Sequence, residues 1–148
     1  MTGHEFAEMA PALFILLVCI LPPMIDLIYL GIAYAAAWYL NHLQVREAAC
    51  APPGQEAAAC DRAKAAWQGS TLAAFIKGTE SAAPVIAKQD KFPPAPPPGA
   101  DPDTIQVTTT VTVAPFLQIP FLGSVPGIGA PITWRISSER TREEVGLN

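Results

Sequence analysis

The chain opens with a long apolar stretch and continues with segments that are polar, proline-rich or regularly alternating. Between residues 9 and 45 only one side chain, that of Asp26, carries a full charge. A helix needs roughly 20 apolar residues to cross a hydrocarbon core about 30 Å thick, and residues 10–30 provide them. The pattern therefore predicts one membrane-spanning helix near the N-terminal end, with the remainder of the chain outside the bilayer.

Two features distinguish this helix from a simple lipid-facing one. Pro22 and Pro23 remove two backbone donors in its middle, and Asp26 follows three residues later. Neighbouring helices or water usually satisfy the carbonyls that such prolines leave free, and an intramembrane carboxylate usually faces protein. We expect either that the helix packs in a bundle or filament of many copies, or that Asp26 lies near the membrane interface. Gly31 and nearby alanines would permit close approach of helices.

The first helix is predicted to extend well beyond the membrane. No helix breaker occurs before Pro52-Pro53-Gly54, so residues 1–49 form the first unit of the chain. Residues 50–79 form the second unit, because an alanine-rich pattern over residues 55–77 predicts another helix that ends at Gly78. The two helices would make a hairpin.

Three cysteines divide between these units. Cys19 lies inside the apolar stretch, where it serves as a small apolar residue. Cys50 and Cys60 bracket the Pro-Pro-Gly turn and are a candidate disulfide that would staple the hairpin. Such a bridge is expected in an oxidising compartment, which suits a segment on the non-cytoplasmic side of a membrane. The alternative is two free thiols on separate helical faces.

The remaining residues divide into a linker and a small sheet. Residues 80–103 are dominated by proline, which favours an extended conformation, either as a spacer or as a loop that lies along the surface. Residues 104–148 change to a period of two, which predicts two half-buried antiparallel strands. Their apolar positions are Ile105, Val107, Val111 and Val113, with Thr109 in the same phase, and then Ile132, Trp134 and Ile136. The predicted fold class is therefore α+β, with a long N-terminal transmembrane helix, a helical hairpin and a small antiparallel β-sheet.

The connection between the two predicted strands, residues 115–131, is apolar and rich in turn residues. A solvated loop would carry more polar side chains. Either it folds back over the helices as the lid of a small core, or it contacts a neighbouring subunit.

Composition and residue types argue against several function classes. The chain has a net charge of −4, a pI near 5.0 and no cluster of Lys or Arg, so no segment suits a nucleic-acid backbone. The two histidines, His4 and His42, lack a catalytic partner, and no His, Cys, Asp or Glu group has metal-ligand spacing. No glycine loop follows a phosphate-binding pattern. We expect no enzyme, no cofactor and no small-molecule substrate.

Several short motifs stand in an order typical of one family of membrane proteins. Glu5-Phe6-Ala7 is followed by Pro11, and the long helix ends in Arg46-Glu47-Ala48-Ala49. Val111-Thr112-Val113-Ala114-Pro115 then leads to Pro131-Ile132-Thr133-Trp134-Arg135-Ile136-Ser137-Ser138. In this order of parts, which covers nearly the whole chain, the sequence resembles the TadE-like family of tight-adherence pilus proteins.

The resemblance implies a pilin-like or pseudopilin subunit with a role in cell adhesion, acting by helix packing. It implies a protein of the bacterial inner membrane whose C-terminal part is periplasmic or extracellular. Its partners would be membrane lipid and further copies or other pilin-like membrane subunits. Glu5 would meet the terminal amine of a neighbour, since a buried carboxylate needs a cation, or it would sit among headgroups. Phe6, Pro11, Asp26 and Gly31 would complete the helix-packing set.

Family precursors carry a basic leader that ends in glycine, and this sequence shows none. If Met1 is the processed terminus, Glu5 is the fifth mature residue, which is the arrangement we prefer. If cleavage follows Gly3, Glu8 takes that place.

Two other classes stay open. An accessory subunit of a larger membrane complex would dock the same helix against other spanning proteins, with the tail capping them. A secreted adhesin or binding module would require the apolar segment to be a cleaved signal.

Overall fold

The chain folds as a long N-terminal helix that carries a small α+β head, which confirms the predicted fold class. The computed structural model describes residues 3–89, 104–117, 119 and 122–142. The helices are α1 (Gly3–Ile15), a π-helical turn (Leu16–Ile20), α2 (Leu21–Cys50), α3 (Glu56–Gln68) and α4 (Thr71–Ile76). The strands are β1 (Thr79–Gln89), β2 (Thr104–Val113) and β3 (Ile132–Thr141).

α1, the π-helical turn and α2 form one uninterrupted helical run. A proline cannot donate to the carbonyl four residues earlier, and its ring crowds that carbonyl. Pro22 and Pro23 occupy the first turn of α2, and the helix widens just before them. There the Leu21 N–H donates to the carbonyl of Leu16, five residues earlier. The helix therefore accommodates both prolines through its own backbone.

The three strands form one antiparallel sheet in the order β1-β2-β3, with the helices packed on one face. β2 is central, and all its predicted positions are buried, namely Ile105, Val107, Val111, Val113 and also Thr109, together with Thr104 at the start of the strand. On the opposite face, threonine and serine hydroxyls of β2 and β3 pair across the strands. One face of the sheet is thus core and the other is polar, as expected for an antiparallel sheet.

α2 packs across β2 and β3 with a face of small residues. Ala33, Ala36 and Ala37 are buried against Trp67 of α3, Ile76 of α4 and the sheet. Alanine lets the helix approach closely, so the larger side chains of its partners fill the core. α3 runs back along α2, which confirms the predicted hairpin.

The second predicted helix, residues 55–77, is divided in two. α3 ends at Gln68, and the Ser70 side chain caps α4 by accepting a hydrogen bond from a first-turn N–H at 3.2 Å. A serine in this position satisfies a donor that the start of a helix leaves free. Lys77 rather than Gly78 takes the left-handed conformation that ends α4, with φ at 47°.

The extended linker predicted for residues 80–103 is wrong in its first part, because Thr79–Gln89 forms β1. Its pairing with β2 shifts register twice, once between Glu80 and Ala82 and once between Ala82 and Val85. β1 is an edge strand, and an edge tolerates Pro84, whose missing N–H would break the ladder inside a sheet. The predicted two-stranded sheet therefore has three strands, and residues 90–103 lie outside the described part of the chain.

Candidate assembly surface

The N-terminal part of the helical run extends from the head without cover. Every residue from 9 to 25 is exposed or half-buried, and we call this segment the rod. The helix Met9–Cys50 is long and apolar enough to cross a membrane. At 1.5 Å per residue the rod alone is about 25 Å long, close to the roughly 30 Å of a hydrocarbon core.

Beyond the rod, α2 keeps an apolar stripe on the face turned away from the sheet. Its residues are exposed apolar or small side chains at helical spacing: Leu27, Ile28, Gly31, Ile32, Ala35, Trp38 and Tyr39. The stripe ends at His42, whose ring stacks on Trp38 with centroids 5.2 Å apart. Large exposed apolar patches of this kind mark contacts with protein or membrane. Rod and stripe form one continuous surface.

Asp26 lies where the rod enters the head, and it is fully buried. Its Oδ1 accepts a hydrogen bond from the Leu117 N–H at 2.8 Å, and the Phe116 ring packs on Tyr29 with centroids 5.3 Å apart. The Tyr29 hydroxyl donates to the carbonyl of Ile76 in α4. The loop after β2 thus folds back over the helix, the first of the two alternatives for residues 115–131. The protein cover that a carboxylate in an apolar helix needs is therefore supplied to Asp26 by its own chain.

Two amide side chains of α2, those of Asn41 and Gln44, are fully buried between helix and sheet. Asn41 Nδ2 lies 2.9 Å from the Val107 carbonyl, 2.9 Å from Thr109 Oγ1 and 3.2 Å from the Ile136 carbonyl. Because carbonyl oxygens only accept, the amide nitrogen must face them. One side chain therefore ties α2 to both β2 and β3.

The network continues through Gln44 to an ion pair on β1. Thr109 Oγ1 donates to Gln44 Oε1 at 2.5 Å, and Gln44 Nε2 donates to Glu80 Oε1 at 3.0 Å. Glu80 Oε2 lies 2.9 Å from Lys64 Nζ, and the Glu80 side chain is fully buried. The contacts run from Asn41 through Thr109 and Gln44 to Glu80, while Asn41 Oδ1 has no hydrogen-bond partner among the described residues. Buried hydrogen bonds of this kind link the packed elements to one another. This network was not predicted from the sequence.

A second charged cluster closes the end of the head farthest from the rod. Glu56, the first residue of α3, places Oε1 2.7 Å from Lys88 Nζ of β1 and 2.7 Å from Arg142 Nη2 beyond β3. Arg142 Nη2 also lies 3.4 Å from the Ala51 carbonyl in the turn between α2 and α3. The cluster joins the hairpin turn to both edge strands.

Because of this cluster, the free energy of unfolding is expected to fall at acid pH. Burial would raise the pKa of Glu56, but hydrogen bonds from Lys88 and from its own backbone, the Lys88 charge and Arg142 together lower it from its ordinary value of 4.5. Its stabilising contribution is therefore complete above pH 4.5 and is lost as the pH falls through the lower, folded-state pKa. We expect Glu56→Gln to reduce the fall in unfolding free energy between about pH 5 and pH 3. Denaturant titration at each pH measures the free energy of unfolding, with Glu47→Gln at an exposed site as the control. An equal fall of the unfolding free energy with pH in both variants would contradict the prediction.

The candidate disulfide between Cys50 and Cys60 is wrong. Cys60 is buried on the α3 face that packs on α2, and its Sγ lies 3.7 Å from the Gln44 carbonyl. Cys50, the last residue of α2, is exposed, because the buried face of that helix passes through Ala48 and Ala49. Burial, with the nearby charges of Glu80, Asp61 and Glu56, raises the pKa of the Cys60 thiol to about 12. The thiol therefore stays protonated and acts as a small core residue.

Of the other predicted helix-packing residues, two lie on the surface formed by rod and stripe. The backbone of Glu5 and Phe6 is helical, within α1, while their side chains lie outside the described part of the chain. Pro11 is exposed on the rod, inside α1, and Gly31 is exposed on the stripe. Asp26 is not on this surface, since it points into the head.

Among the described residues, no three His, Cys, Asp or Glu side chains lie close enough to hold a metal ion. The rod and stripe are the large exposed apolar surface of the described residues. No known family model matches the chain, and it has no significant match among curated proteins or solved structures.

Proposed function

We propose that the chain is a structural, pilin-like or pseudopilin subunit of a tight-adherence-type pilus or of its assembly machinery. It resides in the bacterial inner membrane through the rod, with the head on the periplasmic or extracellular side. It acts by packing its long helix against the helices of further copies. The observation that carries the proposal is the continuity of the rod with the stripe.

A simple membrane anchor has no need of the stripe. An anchor must be apolar only within the bilayer, and where its helix enters a soluble head the exposed face should become polar. Here the exposed face stays apolar for about three further turns, from Leu27 to Tyr39, while the opposite face is used by the sheet. A helix that is apolar on both faces suits burial between its own head and neighbouring helices.

Small residues on the stripe favour helices rather than lipid as its partner. Gly31 and Ala35 are exposed and one helical turn apart, an arrangement that lets two backbones approach closely. A Cβ at position 31 would have no atom within 4 Å, so the fold of the head does not require glycine there. Glycine inside a helix costs about 1 kcal/mol relative to alanine. Packing against another helix supplies a reason to keep it.

We expect Gly31→Leu to abolish assembly while the subunit still folds and enters the membrane. A Cβ at position 31 meets no atom of its own chain within 4 Å, and the longer leucine side chain would hold a neighbouring helix away. The measurement is the amount of the chain in sheared extracellular filaments, together with oxidative cross-linking of membranes through Cys19, which is exposed on the rod. Ala58→Leu, at an exposed site on α3, is the matched control.

Filaments and Cys19 dimers that persist unchanged in Gly31→Leu would contradict the proposal. Co-purification at fixed stoichiometry with other spanning proteins, without homo-oligomers, would instead support an accessory subunit of a larger membrane complex.

A further inference from the structure

We propose that the base of the head docks on the lipid surface of the bilayer that holds the rod. The inference rests on the proposed membrane residence of the rod, but it concerns the single subunit and does not depend on filament formation. The base consists of the exposed aromatic rings of Phe75 in α4 and Phe116 in the loop after β2, with Val125 of the same loop.

An apolar groove marks the junction between rod and head. Its volume is about 210 Å³, and it is lined by Ile25, Ile28, Tyr29, Ile32, Phe75 and Phe116. The Tyr29 ring contacts both phenylalanine rings, with its centroid 5.9 Å from that of Phe75 and 5.3 Å from that of Phe116. Both rings nevertheless remain about half exposed, at 52% and 50%. The groove joins Ile25 of the rod and the adjoining end of the stripe, Ile28 and Ile32, to aromatic side chains of the head in one apolar surface.

Along the described helix, no exposed polar side chain lies between the rod and this surface. The rod ends at residue 25, and Tyr29 lies one helical turn later, about 6 Å along the axis. The only charged side chain between them is that of Asp26, which is buried and accepts a hydrogen bond from the Leu117 N–H. A rod embedded up to residue 25 therefore places the aromatic rings of the base at the lipid interface, where amphipathic and aromatic surfaces bind.

The charge pattern of the base suits a lipid surface. Residues 114–131 carry no charged side chain. Lys77, two residues after Phe75, is exposed and can meet anionic headgroups. The other charged groups of the hairpin, such as Arg46 and Glu56, lie toward the opposite end of α2, about 30 Å or more along the helix from Asp26.

The test uses the full-length chain in lipid vesicles with bromine-labelled acyl chains, which quench tryptophan fluorescence on contact. Phe75→Trp and Phe116→Trp report on the base, and Val85→Trp, at a 55% exposed site on β1, is the matched control. Fluorescence of the parent chain in the same vesicles is subtracted. We expect the brominated lipid to quench most of the added emission at both base positions and almost none at position 85.

Equal quenching at all three positions, or free access of a water-soluble quencher to both base positions, would overturn the inference. Weak quenching at the base positions that rises when the protein is diluted with excess brominated lipid would show that another copy covers the base, and would also overturn it. Failure of the chain to float with vesicles would reject membrane residence itself, whereas loss of filaments alone leaves the docking result unaffected.

Discussion

Asn41→Ala is expected to lower the free energy of unfolding by about 3 kcal/mol, a large part of what a domain of this size possesses. The substitution deletes the donor that lies within 3.2 Å of the Val107 and Ile136 carbonyls and within 2.9 Å of Thr109 Oγ1. Two of these acceptors belong to different strands, so the contact between helix and sheet weakens across both. It also leaves a cavity at a fully buried site, which adds to the cost.

Unfolding by denaturant in detergent solution measures this effect. Glu47→Ala is the matched control, because Glu47 is a polar residue of the same helix but exposed, and a change of less than about 0.5 kcal/mol is expected there. An Asn41→Ala protein as stable as the control would show that the amide does not hold the helix on the sheet.

A double-mutant cycle tests whether the buried amides and hydroxyl act as one network. Thr109→Val keeps the shape of the side chain but removes the hydroxyl that accepts from Asn41 and donates to Gln44. The loss in the double variant should then be smaller than the sum of the two single losses, since residues in one network do not contribute independently. Additive losses would mean two separate contacts.

The sequence carried a weak signal for this network. Thr109 stands in the apolar phase of β2, where valine or isoleucine would be expected, and the structure gives it a polar partner on α2. The partner could not be predicted, because Asn41 and Gln44 sit where the first helix turns polar and look like the start of a solvated face. Which helical face meets the sheet depends on contacts about 65 residues apart in sequence, and periodicity describes only neighbours along the chain.

Elements with strong periodicity were predictable, and those decided by tertiary contacts were not. The long helix, the hairpin and the alternation of β2 follow from patterns that repeat over ten residues or more. β1 was missed because its alanines and Pro84 have low strand propensity, and only pairing with β2 makes that segment a strand. The disulfide failed for a related reason: spacing along the chain placed Cys50 and Cys60 together, but the helical phase put only Cys60 in the core.

The role of Asp26 shows the same limit. A carboxylate in an apolar helix indicated that protein must cover it, and this much is correct. The two expectations were cover from neighbouring copies or a position near the membrane interface, whereas the observed cover comes from Leu117, 91 residues later in the same chain. Asp26 therefore contacts the loop that shapes the base of the head and does not lie on the surface formed by rod and stripe.

Gly129→Ala should be the most damaging substitution in that loop, with a loss of about 3 kcal/mol or more in the free energy of unfolding. A Cβ on Gly129 would lie 2.1 Å from the Leu122 carbonyl oxygen and 2.6 Å from the Gly123 Cα. These are backbone atoms, so they cannot move aside as a side chain could. The same carbonyl accepts from the Val125 N–H at 2.9 Å, and displacing it breaks the turn.

The consequence reaches the junction of rod and head. If the turn opens, the loop can no longer hold the Leu117 N–H on Asp26. The free energy of opening that amide hydrogen exchange measures at Leu117 should then fall at least as much as the free energy of unfolding of the subunit. Gly31→Ala is the control, because a Cβ there meets nothing within 4 Å and alanine favours the helix by about 1 kcal/mol. The two glycine substitutions should therefore change the stability of the subunit in opposite directions. A Gly129→Ala subunit with parental stability and slow exchange at Leu117 would show that the loop does not take this path over Asp26.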